Sequence, residues 1–273
     1  AHELKVASAQ VKSAILLAGL NAEGVTSVVE PAPSRDHTER LLEAFGIEVQ
    51  RPALTVRLVG QQKMVPGVHT VPGDLSSAAF IMAASLLVPD SEVLVRSVGL
   101  NPSRAGILKI ITAMSGHYSL EAQTAIGAEP VGDLLLKGTS LIGAALPAEW
   151  VPLAIDEFPM VMGMAAASQG QTTISGASEL RVKESDRLAL MCSELRALGV
   201  SLEEHADGAT IVGGEINGGV VESEGDHRIA MTFAVLGLIA KAPIVIRDAE
   251  WVRTSYPGFV EDLNALGGRL EWV

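Results

Sequence analysis

The sequence predicts an α/β protein (α+β in the loose sense) built from a long internal repeat. Three observations carry this. Apolar, Ala-rich runs at helical spacing alternate with short β-branched runs. Glycines 46, 116, 199 and 267 each close a helical run, at intervals of 70, 83 and 68 residues. Charged or hydroxyl residues mark nearly every strand-to-helix junction. Gly suits a helix end because the residue after it often adopts a left-handed conformation. The intervals are too long for a simple solenoid, so each copy holds two helices and several strands.

The elements follow in order. In the first copy, Ser8-Ala9-Gln10-Val11-Lys12-Ser13 opens a helix, residues 24–30 form a strand, and residues 34–46 form a second helix. In the second, Asp74 caps a helix beginning Leu75-Ser76-Ser77, Glu92-Val93-Leu94-Val95-Arg96 is a strand, and Asn101-Pro102-Ser103-Arg104 leads to a helix ending at Gly116. In the third, Asp156 reads as the N-cap of a helix over 158–167, and residues 171–177 read as a strand. Ser185 or Asp186 then caps a helix running to Gly199. In the fourth, Gly225-Asp226-His227-Arg228 opens a helix, residues 244–247 form a strand, and Thr254-Ser255-Tyr256-Pro257 leads to a helix ending at Gly267. The repeat requires one further strand after it.

Composition narrows the function. At 273 residues and 48% hydrophobic, the chain can bury one large core or two ordinary ones. A net charge of -12 argues against nucleic acid or an anionic membrane as partner, and makes grouped cations conspicuous. The longest apolar runs, 78–88 and 229–240, are about half the ~20 residues of a membrane span and read as buried helices. The one cysteine, Cys192, lies in an apolar helix without a paired His and reads as a buried structural thiol. No metal site is expected, and a cytoplasmic protein is. His37 and His205 carry no signal, and His227 reads as orienting its loop.

The densest chemistry is Arg181-Val182-Lys183-Glu184-Ser185-Asp186-Arg187, five charged side chains and a hydroxyl at a helix start. The first N–H groups of that helix face outward as an anion site, with Lys183 and Arg187 beside them. Arg35, Arg104 and Arg228 fall at comparable junctions. If the helix starts point the same way, their dipoles converge on a cleft suited to a substrate with several negative charges.

Ser8-Ala9-Gln10, Ser34-Arg35-Asp36-His37-Thr38-Glu39, residues 72–77, Asn101-Pro102-Ser103-Arg104, Ile155-Asp156-Glu157-Phe158-Pro159, residues 180–187 and Asp226-His227-Arg228-Ile229-Ala230-Met231 together resemble the 5-enolpyruvylshikimate-3-phosphate (EPSP) synthase family. Ala9 in the first motif is similar to the glyphosate-tolerant subgroup. The resemblance implies an inside-out fold of βαβαββ units in two lobes, with the active site between them and one lobe only partly present here. Residues 1–68 would be the last unit of the substrate-binding lobe. Residues 69–273 would be a three-unit lobe carrying the catalytic carboxylates and the phosphoenolpyruvate-binding arginines.

The implied reaction moves an enolpyruvyl group from phosphoenolpyruvate to the 5-hydroxyl of shikimate 3-phosphate, without metal or organic cofactor. By the same resemblance, Asp156 accepts the hydroxyl proton and Glu184 sits near the methylene carbon. Ser8, Ala9, Gln10, Arg35, Asp156 and Lys183 hold shikimate 3-phosphate. Gln10, Glu184, Arg187 and Arg228 hold phosphoenolpyruvate. Read from the residues alone, Glu184 could simply balance Lys183 and Arg187.

Two departures stand out. Thr254 occupies the place of a lysine in the commoner family type, with Arg253 adjacent as a substitute. The family's Lys-Ser-x-x-x-Arg segment and Gly-Asn-Ala-Gly-Thr loop do not occur in these 273 residues. The chain is therefore expected to be a C-terminal portion, inactive without a complementing N-terminal segment. It is also expected to self-associate through the apolar faces of the orphan unit, Ile15, Leu16, Leu17, Leu41 and Leu42. The rival readings are a non-catalytic phosphate-binding or structural module of the same repeat, and an enolpyruvyl transferase acting on a UDP-amino sugar.

Overall fold

In the computed structural model, which describes residues 1–273, the first copy of the repeat runs β1 (His2–Glu3), α1 (Ala9–Gly19), β2 (Val25–Val29), α2 (His37–Ala44), β3 (Val49–Gln50) and β4 (Thr55–Val59). The second holds α3 (Leu75–Leu87), β5 (Glu92–Gly99), α4 (Gly106–Ala113), β6 (Tyr118–Ile126) and β7 (Glu129–Lys137). The third holds the short α5 (Val151–Ala154), α6 (Phe158–Ala167), β8 (Gln171–Ile174), α7 (Arg187–Ala197), β9 (Ser201–His205) and β10 (Gly208–Val212). The fourth holds β11 (Gly219–Glu222), α8 (His227–Gly237), β12 (Ile244–Arg247), the short α9 (Val252–Ser255) and α10 (Phe259–Ala265).

Sheet order repeats with the sequence. The first sheet is β1-β2-β4-β3, the second β5-β7-β6 and the third β8-β10-β9. In each, the last strand of the copy inserts between the two before it. The opening strand lies parallel to its neighbour in every copy. It is a full pair in β1–β2 and β11–β12, and a single bridge at Gly73–Val98 and Ala145–Thr173. This recurrence is the βαβαββ unit expected from the sequence, in a mixed α/β protein.

Three local expectations are corrected. Residues 268–273, which follow Gly267, form no strand. Gly46, Gly199 and Gly267 have φ of 79°, 88° and 104°, as a helix-ending Gly should, but at Gly116 the left-handed residue is the preceding Ser115, at 60°. Gly116 is small for a different reason: a Cβ there would meet Ile111 Cγ2 at 2.8 Å. Asp156 does not cap α6. It lies in a 3-10 turn, Ile155–Glu157, and Glu157 takes the cap position without a side-chain bond.

Two units emerge from the chain's internal packing. One comprises Ala1–Pro72, Gly99–Arg104 and Gln123–Gly132, and the other Gly73–Val98, Ala105–Ala122 and Asp133–Val273. The first unit has its own core of Leu16, Val28, Leu42, Ile47, Val56 and Leu58. That corrects the expectation for its apolar faces. Leu16 and Leu42 are buried and Ile15 partly so, because β2 and β4 close over α1 and α2; only Leu17 and Leu41 stay exposed.

The second unit is organised around three helices, α3, α6 and α8, which pack on one another. Nearly every residue of α3 and α6 is buried, as the continuous apolar runs predict. Cys192 is fully buried and burial raises its thiol to about 11, so it is an inert packing group. No helix is long and apolar enough to cross a membrane.

Candidate active site

In the second unit the starts of α7 and α8 meet on one carboxylate. Asp226 precedes α8 and accepts the backbone N–H of Arg228 at 2.9 Å, as an N-cap does. The same carboxylate accepts Arg187 Nε at 2.7 Å and the Ser185 hydroxyl at 3.1 Å. Arg187 is the first residue of α7, capped in turn by Asp186, whose side chain accepts Ala189 N–H. Between β8 and α7 the chain makes a 3-10 turn over Ser178–Val182 rather than passing directly from strand to helix. Arg181 pins that turn to β9 through Glu204 and the carbonyls of His205 and Ala206.

Arg187 is only 1% exposed. Its NH2 lies 2.8 Å from Glu184, and its NH1 lies 3.9 Å from Asp156 Oδ1. Arg228 donates through NH1 to the Asp156 carbonyl at 2.9 Å. Arg187 NH1 and Arg228 Nε are buried donors with no hydrogen-bond partner, which is costly for a charged group and is the chemistry an anionic ligand satisfies. So Asp156, Glu184, Arg187 and Arg228 come together, as the sequence reading expects. Glu184 pairs with Arg187, not with Lys183. Lys183 instead reaches Glu179, 2.5 Å away within its own loop.

Electrostatics in this cluster have identifiable causes. Burial alone would push the Asp226 carboxyl up, but the bond and charge of Arg187, the Arg228 N–H and the Ser185 hydroxyl hold it below its usual value. Burial first, then the charges of Arg228 and Arg187, lower His227, so it is neutral at pH 7. A depressed carboxyl contributes stability above its unfolded value, and loses it as pH falls through its folded value. Asp226→Asn should therefore lower stability at pH 7 by about 3 kcal/mol or more, since it leaves Arg187 buried beside a neutral amide. Its stability should then fall less steeply than wild type as pH drops below about 4. Urea unfolding from pH 7 to pH 3 checks this; parallel declines would contradict it.

In the first unit, Ser8 caps α1 by accepting Val11 N–H at 3.3 Å, which leaves Ala9 and exposed Gln10 at the helix start. Arg35 is partly buried on the loop between β2 and α2. Its neighbours anchor that loop. Ser34 donates to Glu30, and Asp36 holds Arg40 Nε at 2.9 Å, Arg51 at 3.2 Å and Asn101 Nδ2 at 2.7 Å. Burial opposes the Asp36 charge, but Arg40 and Asn101 outweigh it and lower its pKa. Arg104 follows the same Asn101 turn and is partly buried.

Sequence reasoning missed the hubs. Asp226, Asp36 and Asn101 sit inside the motifs already singled out, and Asp226 before an apolar helical run was itself a cap signal. Lys12 and Glu39 also lie in quoted stretches, but nothing local pairs them with each other or with Glu30. Near the C-terminus, Thr254 bonds its own turn through Trp251 O, and the Arg253 guanidinium lies 4.4 Å from the Trp272 ring centroid.

Comparison with known proteins agrees with this architecture. The family profile of EPSP synthase (3-phosphoshikimate 1-carboxyvinyltransferase) matches residues 1–263. A 3-phosphoshikimate 1-carboxyvinyltransferase of Halorhodospira halophila is 51% identical over 271 residues, covering 99% of this chain and 61% of the relative. One of Xanthomonas euvesicatoria is 53% identical over 266 residues, covering 97% of this chain and 60% of the relative. The solved EPSP synthase of Acinetobacter baumannii superposes with a TM-score of 0.96 at 45% identity, over 99% of this chain and 63% of that one. The enolpyruvyl transferase NikO of Streptomyces tendae, at 20% identity and a TM-score of 0.74 over 93% of this chain and 58% of that one, shares the fold. The chain thus spans about three fifths of the length of the curated relatives it matches. Across that span, motif, repeat and profile agree, and the chain belongs to the EPSP synthase family.

Proposed function

We propose that this chain supplies the catalytic carboxylates and the phosphoenolpyruvate-binding arginines for enolpyruvyl transfer to shikimate 3-phosphate. The observation that supports it best is the pairing of Arg187 and Arg228 around Asp226, each with an unsatisfied buried donor, beside Asp156 and Glu184. The guanidinium of Arg187 on Asp226 and that of Arg228 on the Asp156 carbonyl suit a substrate carrying both a phosphate and a carboxylate. Asp156 takes the proton of the attacking 5-hydroxyl as its oxygen bonds to the enolpyruvyl carbon. Glu184 delivers a proton to the methylene carbon, and Arg187 and Arg228 hold the negative charge of the tetrahedral adduct. Loss of a proton from the methyl group then expels phosphate and restores the double bond. Ser8, Ala9, Gln10 and Arg35 bind shikimate 3-phosphate, with Lys183 turning from Glu179 to join them and Gln10 also touching phosphoenolpyruvate.

The same reading assigns 1–68 as one repeat unit of the substrate-binding lobe and 69–273 as the catalytic three-unit lobe, in a cytoplasmic enzyme of aromatic amino acid biosynthesis. Ala9 and Thr254 support the glyphosate-tolerant subgroup. Exposed Leu17, Leu41, Val25 and Val59 in the first unit support self-association of the chain. The 273 residues lack the family's Lys-Ser-x-x-x-Arg segment and its Gly-Asn-Ala-Gly-Thr-type loop with an Arg, so the chain alone should be inactive. Phosphate release from both substrates tests this. The purified chain should give none, and adding a segment that carries those two motifs should start turnover. Release by the chain alone would overturn the dependence, and none from the mixture would overturn the assignment.

A further inference from the structure

We propose that Lys12, with Glu30 and Glu39, is a positioning device for the shikimate-phosphate residues of the first unit; the inference rests on the reading above. Lys12 is 1% exposed, and its ammonium lies 2.9 Å from Glu30 and 2.8 Å from Glu39, both buried. Enclosed in this way, it cannot touch a ligand itself. An ammonium leaves water only where carboxylates of good geometry receive it, so its two partners fix where it sits.

What the partners carry gives the device its purpose. Lys12 stands one turn into α1, where its N–H donates to the Ser8 carbonyl at 3.0 Å, so it moves with Ser8, Ala9 and Gln10. Glu30 immediately follows β2, and its second oxygen accepts the hydroxyl of Ser34, the residue before Arg35. Glu39 lies in the first turn of α2, four residues beyond Arg35, where the helix start favours its charge. Ser13 and Thr38 make a parallel link between the two helices at 2.6 Å. One ammonium therefore joins the helix start bearing Ser8 and Gln10 to both ends of the loop bearing Arg35. With all three groups ionised the cluster holds one excess negative charge, and Glu39 Oε2 is buried without a hydrogen-bond partner. Removing Lys12 alone would set two carboxylates against each other and push the segments apart.

The test compares the wild-type 273-residue chain with Lys12→Met/Glu39→Gln, which keeps the cluster's net charge while removing the tie. Amide hydrogen exchange should quicken about tenfold or more at residues 31–36 and at the start of α1, with β2, β4 and the second unit unchanged. Calorimetric affinity for shikimate 3-phosphate should fall by a similar factor. Unchanged exchange at 31–36 would overturn the proposal. So would faster exchange across all of β2 and β4, because it marks a general support of the fold. Faster exchange confined to the loop, with no binding by wild type, would keep the device and sink the substrate assignment instead.

Discussion

Asp156→Ala, in the chain supplied with the proposed complementing segment, should lower kcat by about 100-fold or more with substrate binding largely retained. The expectation comes from placement. Asp156 is partly buried in a 3-10 turn, its backbone carbonyl held by Arg228 and its carboxylate 3.9 Å from Arg187. Those contacts hold the residue beside both arginines, and Glu157 rather than Asp156 takes the cap position of α6. Glu157 is the contrasting neighbour: buried and bonded to Ser76, it anchors the turn. Steady-state kinetics with both substrates varied would decide, and a variant turning over near the wild-type rate would exclude Asp156 as the base.

Arg228→Ala should cripple use of phosphoenolpyruvate. A charge-assisted contact contributes about 1.5–3 kcal/mol, so affinity should fall at least about tenfold. Shikimate 3-phosphate should bind nearly as before, because its proposed contacts from the first unit are untouched. Arg228 also holds the Asp156 carbonyl, so kcat should fall while KM for phosphoenolpyruvate rises. Calorimetry with each ligand separates the cases. Equal loss for both would make Arg228 a structural residue.

Local chemistry was legible in the sequence wherever the signal sits within a few residues. Ser8, Asp74 and Asp186 announced helix starts and do cap them, because an N-cap needs only a side-chain oxygen and an N–H two or three residues on. Repeating junctions pointed to Arg187 and Arg228, and the structure brings both to Asp226. Long-range pairing was not legible. Lys12 looks like any helix-surface lysine until β2 and α2 deliver Glu30 and Glu39 from 18 and 27 residues away. For the same reason Leu16 and Leu42 gave no sign that the first unit closes a core of its own. Gly116 matched a local rule for a different, steric cause.

Acceptor choice tests the central claim most directly. The chain and its complementing segment, given phosphoenolpyruvate labelled in the enolpyruvyl carbons, should be offered shikimate 3-phosphate and a UDP-amino sugar in parallel, with products identified by mass. Label appearing on shikimate 3-phosphate, with phosphate released in equal amount, is the result this account predicts. Label on the UDP-amino sugar, or none on either acceptor, would contradict it.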